Sequence, residues 1–254
     1  MWAVHEFFEA PYFGVFTKKG RWRHHEELEK RAEQRFMATT RELNLSLEED
    51  PPGSFRNYFP VLASGIYTKF EDFVPRGLVI DAGASVGDYA VLIARKYGVE
   101  VRSFEPDVQR FATLTKNVER NQLAARVSPK RAALGSSLGV TKVAIVPHHG
   151  AVKEGEAGPL SEVPLLTVDS LHVSPDILKI DVEGMEVEVL EGSRETIRLH
   201  HPKIIIETHS KELRKRVTRD LQESGYRLRH KEFGGRDGSA PWMDELYNLF
   251  FSAN

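Results

Sequence analysis

Four short, mostly apolar runs in this chain each stop at a carboxylate, and that repetition restricts the fold more than any other feature. Residues 78–80 lead into Asp81, residues 99–104 into Glu105, residues 177–180 into Asp181 and residues 203–206 into Glu207. Runs this short, separated by helical patterns, read as strands buried on both faces, which is the signature of a mostly parallel sheet covered by helices. Ligands of such sheets bind beyond the carboxyl ends of the strands, so the four acids are expected to face one crevice. A single strand-end acid is as readily a turn cap or an arginine partner. Four at equivalent places are harder to explain that way.

The first run continues as Asp81-Ala-Gly-Ala-Ser-Val-Gly-Asp88, a strand feeding a glycine turn and a helix. Gly83 and Gly87 flank the turn, where positive φ or a close ligand needs the missing Cβ, and the turn amides are expected to hold the ligand. Ser85 and Asp88 fit a capping box, which predicts that the helix starts at Ser85 and closes at Gly98. A dinucleotide fingerprint needs glycine where this chain has Ser85 and Asp88, and no Walker lysine follows, so pyrophosphate binding is disfavoured. Glu105 lies 22 residues after Gly83, close to the about 20 expected of an acid that accepts ribose hydroxyls. A nucleoside without a pyrophosphate fits this combination, and S-adenosylmethionine is such a molecule.

The remaining chain extends the alternation. A helix is expected after Asp107, with Val108, Phe111, Leu114 and Val118 on one face, followed by a strand over residues 126–133 whose Pro129 places it at the sheet edge. Residues 138–146 alternate like a hairpin strand, so the third crossover helix is missing, and residues 147–159 read as a loop carrying His148 and His149. Residues 163–171 read as extended, 185–199 as one helix, 213–225 as another, and 246–251 as the last strand. Ahead of the sheet, residues 1–20 are rich in aromatics that need a surface to dock on. Residues 23–45 read as a charged helix with a sparse stripe through Ala32 and Phe36, and Pro51-Pro52-Gly53 ends that unit. Residues 54–73 form a connector that is expected to wall the pocket.

At 254 residues the chain accommodates one large α/β domain, taken as residues 61–254, behind an N-terminal extension, residues 1–60. The 35 basic and 37 acidic residues nearly cancel, so no global field points to nucleic acid or an anionic membrane. There is no cysteine, hence no disulfide framework, thiolate nucleophile or cysteine metal site. No apolar run reaches the about 18 residues of a membrane span, and no signal peptide is evident, so a cytoplasmic location is expected.

Several blocks together resemble the FkbM-type methyltransferases: Asp81-Ala-Gly-Ala-Ser-Val-Gly87, Phe104-Glu-Pro-Asp107, Leu166-Thr-Val-Asp-Ser-Leu171, Ile177-Leu-Lys-Ile-Asp-Val-Glu-Gly184, Val189-Leu-Glu-Gly192 and Ile206-Glu-Thr-His209. The resemblance covers roughly residues 61–254, and the block around Asp181 is its most specific part. It implies a Rossmann-like seven-stranded methyltransferase sheet, mostly parallel with an antiparallel last strand, behind the N-terminal helical extension. It also implies S-adenosylmethionine as cofactor and a hydroxyl on a sugar, glycan or small natural product as acceptor. The family usually has Asn where this chain has Ser85, so one contact to the cofactor is expected to be shortened or replaced by water.

The cofactor residues expected on these grounds are Asp81, Gly83, Ala84, Ser85, Gly87, Glu105, Pro106, Asp107, Ala133 and Asp181. The acceptor and its proton fall to Asp181, Glu183, Glu207 and His209, with Asp181 favoured for positioning and His209 notable because an unperturbed imidazole titrates near neutrality. The pairs His24-His25, His148-His149 and His200-His201 diverge on any regular backbone and make poor chelates. A divalent ion on the carboxylates would acidify a hydroxyl, but none is expected. Two alternatives compete. A nicotinamide-dependent oxidoreductase is opposed by Ser85 and Asp88. A methyltransferase acting on nucleic acid would use Lys18, Lys19, Arg21 and Arg23 or Arg227, Arg229, His230 and Lys231, though such clusters are usually solvated faces. Nucleic acid is therefore not an expected partner, and homo-oligomerisation is left open.

Overall fold

Alternation along the buried strands divides the protein between two cores. In the computed structural model, which describes residues 20–49, 55, 58–144, 160–233 and 246–253, Val79, Val101, Val127, Ile177, Ile205 and Phe250 point into one core. Their neighbours Ile80, Phe104, Leu178, Ile180, Ile204, Ile206, Leu249 and Phe251 point into the other. Successive strand side chains face opposite ways, so strands that are apolar throughout need cover on both sides. Residues 1–19, the Pro51-Pro52-Gly53 break and the loop at 147–159 lie outside the described residues.

The strands are β1 (Val79–Ala82), β2 (Val101–Phe104), β3 (Val127–Lys130), β4 (Ala133–Leu134), β5 (Gly139–Ala144), β6 (Leu160–Leu166), β7 (Ile177–Ile180), β8 (Lys203–Thr208), β9 (Tyr226–Phe233) and β10 (Tyr247–Ala253). The helices are α1 (Gly20–Glu42), α2 (Asp88–Tyr97), α3 (Val108–Arg120), α4 (Glu186–Glu191), α5 (Arg194–His200) and α6 (Lys211–Glu223). Seven strands form one sheet in the order β3-β2-β1-β7-β8-β10-β9. Its first five strands run parallel, and β10 is antiparallel to both β8 and β9. The expected sheet with its antiparallel last strand is thus the one found, and the Pro129 strand sits at the edge. A small second sheet, β4-β6-β5, contains the expected hairpin.

Helices α2 and α3 cover the first core together with Ala32 and Phe36 of α1 and Phe59, Val61 and Leu62 of a short π-helical turn. Helices α4, α5 and α6 cover the second through Val187, Leu190, Ile197, Val217 and Leu221. Helices as short as α4 and α5 are unstable alone. Burial of each such side chain contributes about 1.5–3 kcal/mol, which is what holds them. Asn117 of α3 and Asn121, its C-cap, fasten the chain before the connector: Asn121 exchanges hydrogen bonds with the backbone of Ser46, and Asn117 accepts from Glu48 N and donates to Tyr58 Oη and Val86 O.

Four local expectations are corrected. Helix α2 starts at Asp88 behind a left-handed Gly87, and Ser85 caps nothing. Ser85 itself has φ +49°, a conformation incompatible with an N-cap, which needs extended backbone. Residues 163–171 are extended only to Leu166, and Asp169–Leu171 form a 3-10 turn. The expected strand over 126–133 splits, its end crossing to the second sheet as β4. The single helix over 185–199 is two. A Cβ on Gly192 would stand 2.0 Å from the Gly135 carbonyl oxygen, so the chain breaks helical order there to pass β4. Asp169 then caps α5 from outside, accepting from Glu195 N and Thr196 N.

Candidate active site

Register brings the strand-end acids together. Asp81 of β1 lies opposite Lys179 of β7, Lys179 opposite Ile205 of β8, and Glu207, two residues on, shares that face. Lys179 is buried with its Nζ 3.1 Å from Asp81 Oδ1, and it donates to the Gly83 carbonyl at 2.9 Å. It also lies 3.7 Å from Asp181 Oδ2. Burial works against the ammonium, but Asp81, Asp181 and Asp88 outweigh it and raise its pKa. Asp81 is itself pushed up by burial, with Lys179 acting against the shift. Burial pushes Asp88, at the start of α2, up to about 7.

The glycine turn is held from inside the protein. Gly83 N and Ala84 N donate to Phe104 O, Ser85 N donates to Glu105 Oε2, and Gly87 N donates to Ala84 O. The turn amides therefore do not wait for a ligand, contrary to expectation. A Cβ on Gly83, at φ +75°, would fall 1.7 Å from the Asp181 carbonyl oxygen, so this glycine is required by strand packing. Glu105 is buried, and its other oxygen accepts from Asp107 N at 2.9 Å. A carboxylate oxygen has two lone pairs, so one acceptor position on each oxygen stays open. Burial pushes Glu105 up, the two amides opposing. Asp107 caps α3 by accepting from Gln109 N and Arg110 N. Ala84 is buried, Pro106 is half-buried beside Glu105, and Ala133 has gone with β4 into the second sheet.

A second group sits at the ends of β7 and β8. Tyr67, from the connector, places its hydroxyl 3.0 Å from Asp181 Oδ2 and 3.1 Å from Glu207 Oε2. The other oxygens of the same two acids face His209, whose Nε2 lies 3.7 Å from Asp181 Oδ1 and 3.9 Å from Glu207 Oε1. Glu183 and the buried Glu186 each bring an oxygen to 3.7 Å of that nitrogen. One phenolic hydrogen cannot serve two carboxylates. The pair is consistent if Asp181 is ionised and accepts from Tyr67 while Glu207 carries a proton and donates to Tyr67 Oη. The shifts agree: burial opposes ionisation of Asp181, but Lys179 and His209 hold it low, while burial and then the Asp181 charge push Glu207 up. Burial disfavours the charged imidazole, yet Asp181, Glu207 and Glu183 outweigh it and raise His209 to about 9.

Sequence reasoning missed Tyr67 and the role of Lys179. A lysine inside an otherwise apolar strand, Ile-Leu-Lys-Ile, was a usable signal, because a cation in a doubly covered sheet needs an anion beside it. Tyr67 had no such signal. His209, expected to titrate near neutrality, is instead pushed up to about 9 by the surrounding carboxylates. Of the basic group on β9, His230 is stacked on Phe70 with centroids 3.8 Å apart and lies 2.9 Å from Asp72, and Arg229 donates to Ser252 Oγ. Among the described residues no helix is long and apolar enough to cross a membrane.

Residues 81–228 match the methyltransferase FkbM domain family. The chain is 31% identical over 151 residues to the hexuronic acid methyltransferase AglP of Haloferax volcanii, an alignment covering 57% of this chain and 61% of that protein. It is 26% identical over 216 residues to the methyltransferase sdnD of Sordaria araneosa, covering 67% of this chain and 79% of that one. The crystal structure of methyltransferase FkbM from Methylobacillus flagellatus KT shares the fold with a TM-score of 0.51 at 18% identity, over 76% of this chain and 53% of that chain. The chain thus spans less than two thirds of the length of the first relative and of this structure. With more than half of its residues, 81–228, matched by one family, the chain belongs to the FkbM methyltransferase family.

Proposed function

We propose that this protein transfers the methyl group of S-adenosylmethionine to a hydroxyl oxygen of a sugar-type acceptor, with acidic sugars the first to try. The observation that carries the reading is Glu105. It is buried at a strand end with each oxygen already fixed by one backbone N–H, and each keeps a position for one more donor. That arrangement suits a vicinal diol such as a ribose. The cofactor-binding residues proposed are Glu105, Ser85 and Asp81, the last with a buried Oδ2 that lacks a hydrogen-bond partner. The cofactor's sulfonium supplies an electrophilic methyl group, so no covalent enzyme intermediate is needed.

The rest falls to side chains at the ends of β7 and β8. Asp181, held ionised, accepts a hydrogen bond from the acceptor hydroxyl and orients it. Glu207, pushed up to about 8, takes the proton from its ionised form, so proton uptake gains as pH rises toward that value. His209, as a cation, balances the charge that develops when Glu207 and Asp181 are both ionised. The acid-sugar preference rests on the hexuronic acid relative.

Titration calorimetry with S-adenosylhomocysteine tests the cofactor half without an acceptor. Hydrogen bonds to a charged group contribute about 1.5–3 kcal/mol, so Glu105→Ala is expected to weaken binding roughly 10- to 150-fold. A parent protein that does not bind the nucleoside, or a variant within about twofold of it, sinks the reading. Labelled S-adenosylmethionine offered with uronate-containing and neutral oligosaccharides then tests the acceptor half.

A further inference from the structure

Two acids at the ends of β7 and β8 each divide their oxygens between two tasks. Tyr67 takes Oδ2 of Asp181 and Oε2 of Glu207, which turns Oδ1 and Oε1 toward His209 Nε2. One donor atom each from Asp181, Glu207 and His209 lies within 4.8 Å of the others. At 3.7–3.9 Å the imidazole nitrogen is too far from any of its four carboxylate neighbours for a hydrogen bond, and it is buried with no partner.

Two further side chains beside this group are fully buried and incompletely satisfied. Glu186 directs Oε1 to 3.7 Å of the same nitrogen, while its Oε2 has no partner. Asn248 of β10 is the cross-strand partner of Glu207, and neither its Oδ1 nor its Nδ2 has one. Buried polar atoms left unpaired cost about 1–3 kcal/mol each. An imidazole nitrogen without a partner, beside a fully buried carboxylate with one free oxygen, indicates a polar occupant there.

We propose that Asp181, Glu207 and His209 form a divalent-cation site, with Tyr67 as the outer partner that aims the two carboxylates and with Glu186 and Asn248 facing the ion's water ligands. Mixed carboxylate and imidazole donors favour the Mn²⁺ and Zn²⁺ class over Mg²⁺ and Ca²⁺, which prefer oxygen alone. Donors about 2.0–2.2 Å from one ion are at most about 4.4 Å apart, so side-chain shifts of under about one ångström close the set. Three protein ligands leave coordination positions open, as sites that act on a substrate oxygen require. Ligation needs the neutral imidazole of His209 and the ionised Glu207, so the ion displaces both protons on binding; that binding claim stands apart from the proposed reaction. Only the further step, that the ion acidifies the acceptor hydroxyl in place of proton uptake by Glu207, rests on that reading.

The test uses the full chain, stripped with chelator and then titrated with MnCl₂. One ion per chain is expected, and pulsed electron paramagnetic resonance should show coupling of the bound Mn²⁺ to a ring nitrogen. That coupling should vanish in His209→Gln, and affinity should fall at least tenfold in His209→Gln and in Glu207→Gln. Tyr67→Phe keeps all three ligands, so it should keep the nitrogen coupling while weakening the ion about 10- to 100-fold, the usual effect of an outer-shell partner. No stoichiometric binding of Mn²⁺ or Zn²⁺, or bound Mn²⁺ without nitrogen coupling in the parent protein, overturns the site; neither result needs a variant to fold. Binding of S-adenosylhomocysteine in the presence of chelator tests the proposed reaction separately.

Discussion

At the ends of β1 and β2 the amides of the glycine turn have found partners within the protein, whereas at the ends of β7 and β8 the charged groups crowd without closing on one another. The turn amides of residues 83–85 are donated internally and Glu105 is pinned at both oxygens. Around His209 four carboxylates stop at 3.7–3.9 Å. In the first region the turn is fixed by its own backbone hydrogen bonds, and the buried Asp81 keeps an oxygen without a hydrogen-bond partner. The second holds its charges in a standing imbalance that a substrate, a proton or an ion resolves, which is the kind of stored cost usually found where chemistry occurs.

A change in the second region should leave the first intact. Asp181→Asn keeps the size of the side chain and removes its charge, so turnover should drop about 10²- to 10⁴-fold, as for loss of a positioning or proton-transfer group. Affinity for S-adenosylhomocysteine should hold steady in the same variant. A turnover within a few-fold of the parent would shift the acceptor chemistry onto Glu207.

Lys179 joins the two regions, and its removal should harm both. Lys179→Met leaves Asp81 buried without its counter-ion, and breaking a buried pair in this way costs about 3–5 kcal/mol. In a protein of this size that is roughly 6–20 °C of melting temperature. Adding Asp81→Asn to the variant should recover part of the loss. A Lys179→Met protein as stable as the parent would mean that Asp81 is neutral in the fold and that the pair holds no charge.

The charge imbalance also has a pH signature in chelator-treated protein. His209 is raised to about 9 in the fold against an unfolded value of 6.5, so the fold favours its protonated form. The stability it contributes is complete below about pH 6.5 and is lost as pH climbs through about 9. Glu207, also raised, acts with the same sign, whereas Asp181, held low, loses its contribution only in acid. Melting temperature should therefore fall between pH 6.5 and 9, on the order of a few degrees, and His209→Gln should flatten that fall. A rising or level profile in the parent would contradict the protonation states assigned here.

The smallest effect belongs to the first region. Ser85 sits at φ +49°, a left-handed conformation that costs a non-glycine residue about 1–2 kcal/mol, partly offset by the entropy that glycine loses on folding. Ser85→Gly should thus be neutral to about 1 kcal/mol stabilising by urea denaturation. A destabilised variant would show that the serine hydroxyl makes a contact worth more than the strain.

What the sequence disclosed and what it concealed divide along the same line. Asp81, Glu105, Asp181 and Glu207 were legible because short apolar runs ending in acids need no partner to be recognised. Asparagine is the side chain that best tolerates left-handed backbone, so its usual place where this chain has Ser85 was a conformational clue that a capping-box pattern obscured. Tyr67 was not legible at all. It meets Asp181 and Glu207 across 114 and 140 residues, and one tyrosine in an aromatic connector has nothing local to set it apart. The break at Gly192 was hidden for a similar reason, since it answers to the Gly135 carbonyl just after β4, far back in the chain.

The placement of β10 also bears on how the chain reaches its folded state. Strand β9 is made before β10 yet lies outside it, at the rim of the sheet, with β10 as its only strand neighbour among the described residues. During synthesis β9 therefore leaves the ribosome with no strand to pair with, and β8 keeps one open edge, until residues 247–253 arrive and slide between them. Exposed edges of this kind are where nascent chains associate with one another. Insertion of β10 is a natural late step in folding, and substitutions within it should change the yield of assembled protein before they change anything the folded protein does.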